Sequence, residues 1–182
     1  MSRIAFFLAD GFEEIEGLTP VDMCRRAGIE VVTFSVMDEL LIKGSHGIKL
    51  YADEMFAPGA YDGFDMLVLP GGGLGTQNLE KHEGLLAELK KAFDSGRYIA
   101  AICAAPRILG RLGFLDGKNA TCYPGNEEHL KGAVYHPECK AVTDGKLITA
   151  RGMGAAVDFG KEIIAALEGK EKAQEILDQI QF

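Results

Sequence analysis

The chain has 182 residues, 47% hydrophobic and 25% charged, a balance that fits one globular domain with a sizeable core. Its net charge of −8 argues against nucleic acid or an anionic membrane as partner, since the longest basic runs are the pairs Arg25-Arg26 and Lys90-Lys91. No run approaches ~18 apolar residues, and the opening MSRIAFFLADGFEE is too short in its apolar part for an export signal. The expectation is a cytoplasmic protein whose four cysteines, Cys24, Cys103, Cys122 and Cys139, stay reduced.

Residues 4–9 form a continuous apolar run, which predicts a buried strand. Thr19-Pro20 reads as a helix start, with the helix running to Ala27 and ended by Gly28. Residues 30–36 are the next strand, and residues 40–53 a hairpin at the sheet edge. Residues 65–69 make another buried strand, stopped by Pro70 and three glycines. Helical periodicity covers residues 83–95. Residues 98–102 are a fourth apolar strand, followed by a helix over 106–112. An Asp144-Gly145 turn makes a hairpin of 141–149, and helices over 155–167 and 170–180 close the chain. Strands alternating with helices predict a three-layer α/β/α sandwich with a mostly parallel sheet.

Ligands of such sheets sit beyond the carboxyl ends of the strands, which selects the loops after Ala9, Leu69, Ile102 and Cys122. Cys103 follows the strand 98–102 directly and precedes Ala104-Ala105-Pro106. This is the strand–nucleophile–helix arrangement of a nucleophile elbow, with small residues where the turn crowds the backbone. A thiol at a helix start faces free N–H groups, so a lowered pKa is expected. The alternative, a packing cysteine, is common for buried thiols, but the strand-to-helix position favours chemistry.

The run Pro70-Gly71-Gly72-Gly73-Leu74-Gly75 fits no nucleotide motif: Thr76 breaks G-x-G-x-x-G, and no Gly-Lys-Ser/Thr follows. It is either a flexible turn or a source of bare N–H groups for an oxyanion. Among the carboxylates of residues 10–16, Glu16 lies between Ile15 and Gly17 and is the one expected to point inward. A carboxyl in an apolar site has a raised pKa and serves as general acid or base. His46, His82, His129 and His136 lack metal-ligand spacing. His136 and Cys139 are three apart, but Pro137 argues against a helical pair. Neither a metal nor a cofactor is expected.

Together, LPGGGLGTQNL, AAICAAP and PVDMCRRAGIEV, with Asp10–Glu16 before them and Arg151-Gly152-Met153-Gly154 near the end, resemble the ThiJ/PfpI superfamily. The branch it most resembles is that of the human parkinsonism-associated protein deglycase and its bacterial relatives. The resemblance covers nearly the whole chain and implies one domain over 1–182, a flavodoxin-like sandwich that forms a homodimer. It implies Cys103 as nucleophile, Glu16 as a protonated partner on its sulfur, and backbone amides at Gly72 and Ala104 facing a substrate oxygen. Arg26 stands where the family has an arginine near its interface. Two positions depart: Tyr123 replaces a histidine common near the cysteine, and His46 a second interface arginine. A phenol, with a reference pKa of ~10, is a poor base.

The function expected is that of a cofactor-independent enzyme on 2-oxoaldehydes or their glycated adducts, converting methylglyoxal to lactate through Cys103 and Glu16. The alternative is a non-enzymatic oxidative-stress sensor or chaperone, working through Cys103 oxidation. A peptidase or amidase is disfavoured by Tyr123 and by the absence of a histidine beside Cys103.

Overall fold

The computed structural model describes residues 1–182. In chain order its elements are β1 (Arg3–Leu8), α1 (Glu14–Arg26), β2 (Glu30–Ser35), β3 (Leu41–Lys43), β4 (Lys49–Tyr51) and β5 (Glu54–Met55). There follow β6 (Met66–Leu69), α2 (Gly73–Lys81), α3 (Glu83–Asp94), β7 (Tyr98–Ile102), α4 (Pro106–Arg111), β8 (Asn119–Ala120) and β9 (Val134–Tyr135). The chain ends with β10 (Ala141–Asp144), β11 (Leu147–Ala150), α5 (Ala156–Glu168) and α6 (Lys170–Gln179). A seven-stranded sheet runs in the order β10-β11-β7-β6-β1-β2-β5, parallel throughout except for β10.

The apolar runs become central strands because both faces of the sheet are covered. Along β1, Ala5 and Phe7 face one core while Ile4, Phe6 and Leu8 face the other. Leu67 and Leu69 alternate with Met66 and Val68 on β6, and Ile99 and Ala101 with Ala100 and Ile102 on β7. One core is rich in aromatics: Phe7, Phe34, Tyr61 and Phe64 form edge-to-face, stacked and tilted pairs at centroid distances of 5.0 to 6.1 Å. Such pairs add ~0.5–1.5 kcal/mol each beyond their buried area. The second core packs α1, α5 and α6 against the other face through Met23, Phe159, Ile163 and Ile176. This is the three-layer sandwich that the alternating elements predict, in the flavodoxin-like form that the family resemblance implies. No helix is long and apolar enough to cross a membrane.

Three local expectations need correction. Helix α1 begins at Glu14, not at Pro20, which lies inside it. Pro20 has no N–H, so the carbonyl of Glu16 loses its usual intrahelical donor. The preceding turn is held instead by packing: Phe12 is fully buried, and a Cβ on Gly17 would lie 2.6 Å from its ring. The glycine run is no flexible turn, since α2 starts at Gly73 immediately after Gly72. The hairpin of 40–53 exists as β3–β4 but forms its own two-stranded ribbon, and β5 occupies the sheet edge.

Candidate active site

The loops after β1, β6 and β7 meet at the carboxyl end of the sheet, as the topology requires. Cys103 is the first residue beyond β7 and has φ of 65°, a left-handed conformation that a residue with a Cβ seldom adopts. Two hydrogen bonds hold it there: its N–H donates to the Ala150 carbonyl at 2.8 Å, and its own carbonyl accepts the Tyr123 N–H at 2.8 Å. Two small residues, Ala104 and Ala105, follow the bend, and Pro106 opens α4 just past them. The elbow read from the sequence is therefore present.

Glu16 faces Cys103 from α1. It is buried, and its Oε2 accepts the Gly71 N–H at 3.1 Å. Its Oε1 is buried without an N–H or O–H donor, and the Cys103 thiol is the polar group that meets the carboxyl. An acceptor left bare in a buried site is costly, so this oxygen is where a carboxylic acid's own proton belongs. Burial pushes Glu16 up to about 7; the nearby Glu13 charge adds to that, while the contacts to Cys103 and Gly71 oppose it. The raised carboxyl expected from its apolar flanks is thus found.

Glycines make the close approach possible. A Cβ on Gly71 would collide with Glu16 Oε2 and come within 2.5 Å of the Cys103 Cβ. Gly72 has φ of 92° and lies against the Gly11 carbonyl and the Glu13 N–H, so it too admits no side chain. Gly75 passes 2.6 Å from the Phe12 backbone by the same measure. The N–H groups of Gly72 and Ala104 both reach the Cys103 sulfur and favour its thiolate. The amides expected to face a substrate oxygen here face the sulfur.

The expected lowering of the thiol pKa is not found. Burial, then the Glu16 charge and its hydrogen bond, push Cys103 up to about 12, and the two amides only partly offset them. The Glu16 contribution is that of an ionised carboxylate, so it disappears when the carboxyl holds the proton. The α4 helix spans only six residues and supplies little dipole. Above about 7 the pair therefore holds one proton, kept mainly by the sulfur, rather than a free thiolate beside an acid.

A cavity of about 370 Å³ opens beside the pair, lined by Cys122, Tyr123, Pro124, Arg151, Gly152 and Met153 among others. Gly152 joins the two: the Tyr123 ring lies 3.1 Å and Glu16 Oε1 3.9 Å from where its Cβ would be. A larger depression at the opposite end of the sheet, lined by Asp65, Arg97 and Lys146 among others, contains no cysteine. No histidine joins Cys103. His46 contacts Glu14 and Ser45, and His82 caps α3 by accepting the Leu85 N–H. His136 bonds to Asn119 and Glu138, and His129 sits by Glu128. Arg26 pairs with Asp22 on the surface.

Glu14 was not distinguishable from its acidic neighbours in the sequence, yet it is buried. Burial alone pushes its carboxyl up. The N–H groups of Glu14 itself, His46 and Ile48, with the His46 ring, outweigh that and hold it at about 2. It thereby ties the β3–β4 turn to the start of α1.

Comparison with known proteins settles the lineage. The family model described as DJ-1/PfpI family matches residues 2–166. The chain belongs to the DJ-1/PfpI family. Drosophila melanogaster protein dj-1beta is 40% identical over 179 residues, covering 97% of this chain and 95% of the relative. A Pyrococcus abyssi protein named as a deglycase is 31% identical, over 91% of this chain and 99% of its own. Arabidopsis thaliana protein DJ-1 homolog B is 38% identical over 96% of this chain, which spans only 40% of that relative. Among solved structures, Toxoplasma gondii DJ-1, described as oxidized, superposes with a TM-score of 0.95 at 31% identity, covering 100% of this chain and 99% of its own. These relatives place the chain in the DJ-1 branch.

Proposed function

We propose that the protein is a cytoplasmic, cofactor-independent enzyme that isomerises and hydrates small 2-oxoaldehydes, or removes their adducts from thiols and amines. The observation that carries this reading is the Glu16–Cys103 pair, with Gly71 allowing the contact and a buried carboxyl oxygen lacking any donor. The relative named as a deglycase supports the same substrate class.

In this reading the Cys103 sulfur attacks the aldehyde carbon of methylglyoxal. A carbon–sulfur bond forms, and the thiol proton passes by way of Glu16 to the carbonyl oxygen, giving a hemithioacetal. Glu16 takes the proton from that carbon and returns it to the neighbouring carbon, while the hydroxyl proton moves to the second oxygen. The resulting lactoyl thioester is hydrolysed by water to lactate and free thiol, with no external oxidant or reductant. The N–H groups of Gly72 and Ala104 stabilise negative charge on sulfur and on the adjoining oxygen. A pKa near neutrality suits Glu16 to both proton transfers. For a preformed hemithioacetal or aminocarbinol the Cys103 sulfur displaces the adduct's thiol or amine: the new carbon–sulfur bond forms as the old carbon–sulfur or carbon–nitrogen bond breaks, and the Cys103 proton passes by way of Glu16 to the departing group, which is deglycation. Lactate formation from methylglyoxal without glutathione is the test. Wild type turns over while Cys103→Ala and Glu16→Gln lose ~10²-fold or more; equal rates in wild type and Cys103→Ala would refute the reading.

A second reading is oxidative sensing at the same thiol, supported by the Toxoplasma relative described as oxidized. A sulfinate at Cys103 would receive the Glu16 O–H and both amides. Peptide mapping after mild peroxide distinguishes it: oxygen added at another cysteine before Cys103 removes its basis.

A homodimer belongs to both readings. Ile15 and Leu18 are exposed on α1, beside exposed Ile48 on the turn that Glu14 holds. Such a patch suits a second copy of the chain.

A further inference from the structure

His136, Glu138 and Cys139 lie outside the pair just described. The proline that argues against a helical pairing builds a different one. The Cys139 N–H donates to the His136 carbonyl at 3.2 Å, closing a β-turn with Pro137 at its second position. A turn brings its first and fourth residues together, and His136 Nδ1, a Glu138 carboxylate oxygen and Cys139 Sγ lie within 4.8 Å of one another.

The protonation of the imidazole follows from its neighbours. Asn119 donates from Nδ2 to Asp144 Oδ2 at 3.0 Å, which fixes the amide because a carboxylate only accepts. The Asn119 Oδ1 therefore accepts from His136 Nε2 at 2.8 Å, so Nε2 carries the hydrogen. The opposite nitrogen, Nδ1, is left to face Glu138 Oε1 at 3.1 Å. A bare nitrogen lone pair against a carboxylate oxygen repels, so this contact calls for a cation between the two atoms, a proton or a metal ion. Cys139 Sγ approaches the same oxygen at 3.7 Å.

We propose that His136, Glu138 and Cys139 form a binding site for a zinc-class divalent cation, with Asn119 positioning the imidazole. One nitrogen, one oxygen and one sulfur are borderline-soft ligands, which suit zinc and disfavour magnesium or calcium. Zinc bonds of about 2.0–2.3 Å at tetrahedral angles put ligand atoms roughly 3.3–3.7 Å apart. The nitrogen–oxygen and sulfur–oxygen separations of 3.1 and 3.7 Å already approach that range. The Asp144–Asn119–His136 chain is the outer-shell support a metal-bound histidine ordinarily has. Binding displaces the Cys139 thiol proton to solvent and leaves one coordination position for water. Pro137 lines the cavity beside Tyr123, so the ion would fix that wall.

The test uses the metal-stripped full chain carrying Cys103→Ala, which silences the other accessible thiol, and cobalt(II) as probe. A thiolate-to-cobalt charge-transfer band should appear, be displaced by zinc, and vanish when Cys139→Ser is added. Adding Asn119→Ala should weaken cobalt binding ~10–100-fold. The site is disproved by absence of the band in the Cys103→Ala protein or by its survival in the Cys139→Ser variant. Unchanged affinity in the Asn119→Ala variant overturns the positioning role. In the wild-type chain, zinc should slow alkylation of Cys139 as read by peptide mapping; equal alkylation with and without zinc also overturns the proposal.

Discussion

Glu14 and Glu16 stand two positions apart on α1, both buried, and titrate in opposite directions. At Glu14 the N–H groups that favour a carboxylate outweigh burial; at Glu16 burial and the Glu13 charge outweigh the thiol and the Gly71 N–H. The consequences for stability have opposite signs. Glu16 rises from 4.5 in the ordinary carboxylate to about 7, so the native state holds its proton more tightly. Stability from this group is present at acid pH and declines as pH rises from about 4.5 through about 7, by an amount on the order of ~3 kcal/mol at ~1.4 kcal/mol per pH unit. Glu14 falls from 4.5 to about 2, so its contribution is full above about 4.5 and is lost as pH drops toward 2. Thermal melts across pH 3–8 should show Glu16→Gln flattening the neutral-side decline and Glu14→Gln flattening the acid-side loss.

The shared proton also shapes reactivity. Once the pair has lost its first proton, thiol with carboxylate is the favoured form, and thiolate with carboxylic acid, which has the same number of protons, is the minor form that reacts. Alkylation of Cys103 by iodoacetamide should rise through about pH 7 and level off in wild type. In Glu16→Gln that step should be absent, and the rate at pH 8 should not fall, because the charge that raises the thiol is gone. An unchanged inflection near 7 would mean that another group governs the thiol.

At the scale of elements, the β3–β4 ribbon depends on one carboxylate rather than on the sheet. A Cβ on Gly44 would fall 2.5 Å from the Glu14 Cγ. Gly44→Ala should therefore lift the turn off Glu14 and destabilise the protein by about 1–3 kcal/mol. Limited proteolysis should then cut within 40–52 sooner, and an unaltered cleavage pattern would show that Glu14 is not the anchor. What the sequence conveys about elements divides along the same line. β1, β6 and β7 are legible because burial on both faces writes itself as apolar runs. The start of α1 and the whole of α2 are not, because Pro20 and Gly71–Gly75 violate local propensity for reasons of contact with Phe12, Glu16 and Cys103. Cys103 and Glu16 could be selected from their place after a strand and between apolar flanks. The height of the thiol pKa could not, because it depends on how deeply β7 buries its end.

For the molecule as a whole, the two sheet edges are poor surfaces for joining copies. β5 is two residues long, and the outer strand β10 ends in Asp144, which is engaged by Lys118 and Asn119. Short and charged edges discourage strand pairing between chains. The exposed apolar residues of α1 offer the better contact. Sedimentation equilibrium should give twice the chain mass for wild type and a shift toward the single chain for Leu18→Glu. Wild type sedimenting at the mass of one chain would refute the α1 interface.

The left-handed backbone of Cys103 has an evolutionary corollary. A side chain other than glycine in that conformation costs about 1–2 kcal/mol, and Cys103→Ala keeps the cost while Cys103→Gly relieves it. Of these two thiol-free variants, the glycine form should melt higher by about 1 kcal/mol of stability, as chemical denaturation would show. A cysteine codon becomes a glycine codon by a single base change. A population selected only for a sturdier fold thus has a one-step path that erases the thiol, and a library evolved for heat resistance alone should find it. Persistence of cysteine at this bend across generations would then measure how much the cell needs its sulfur.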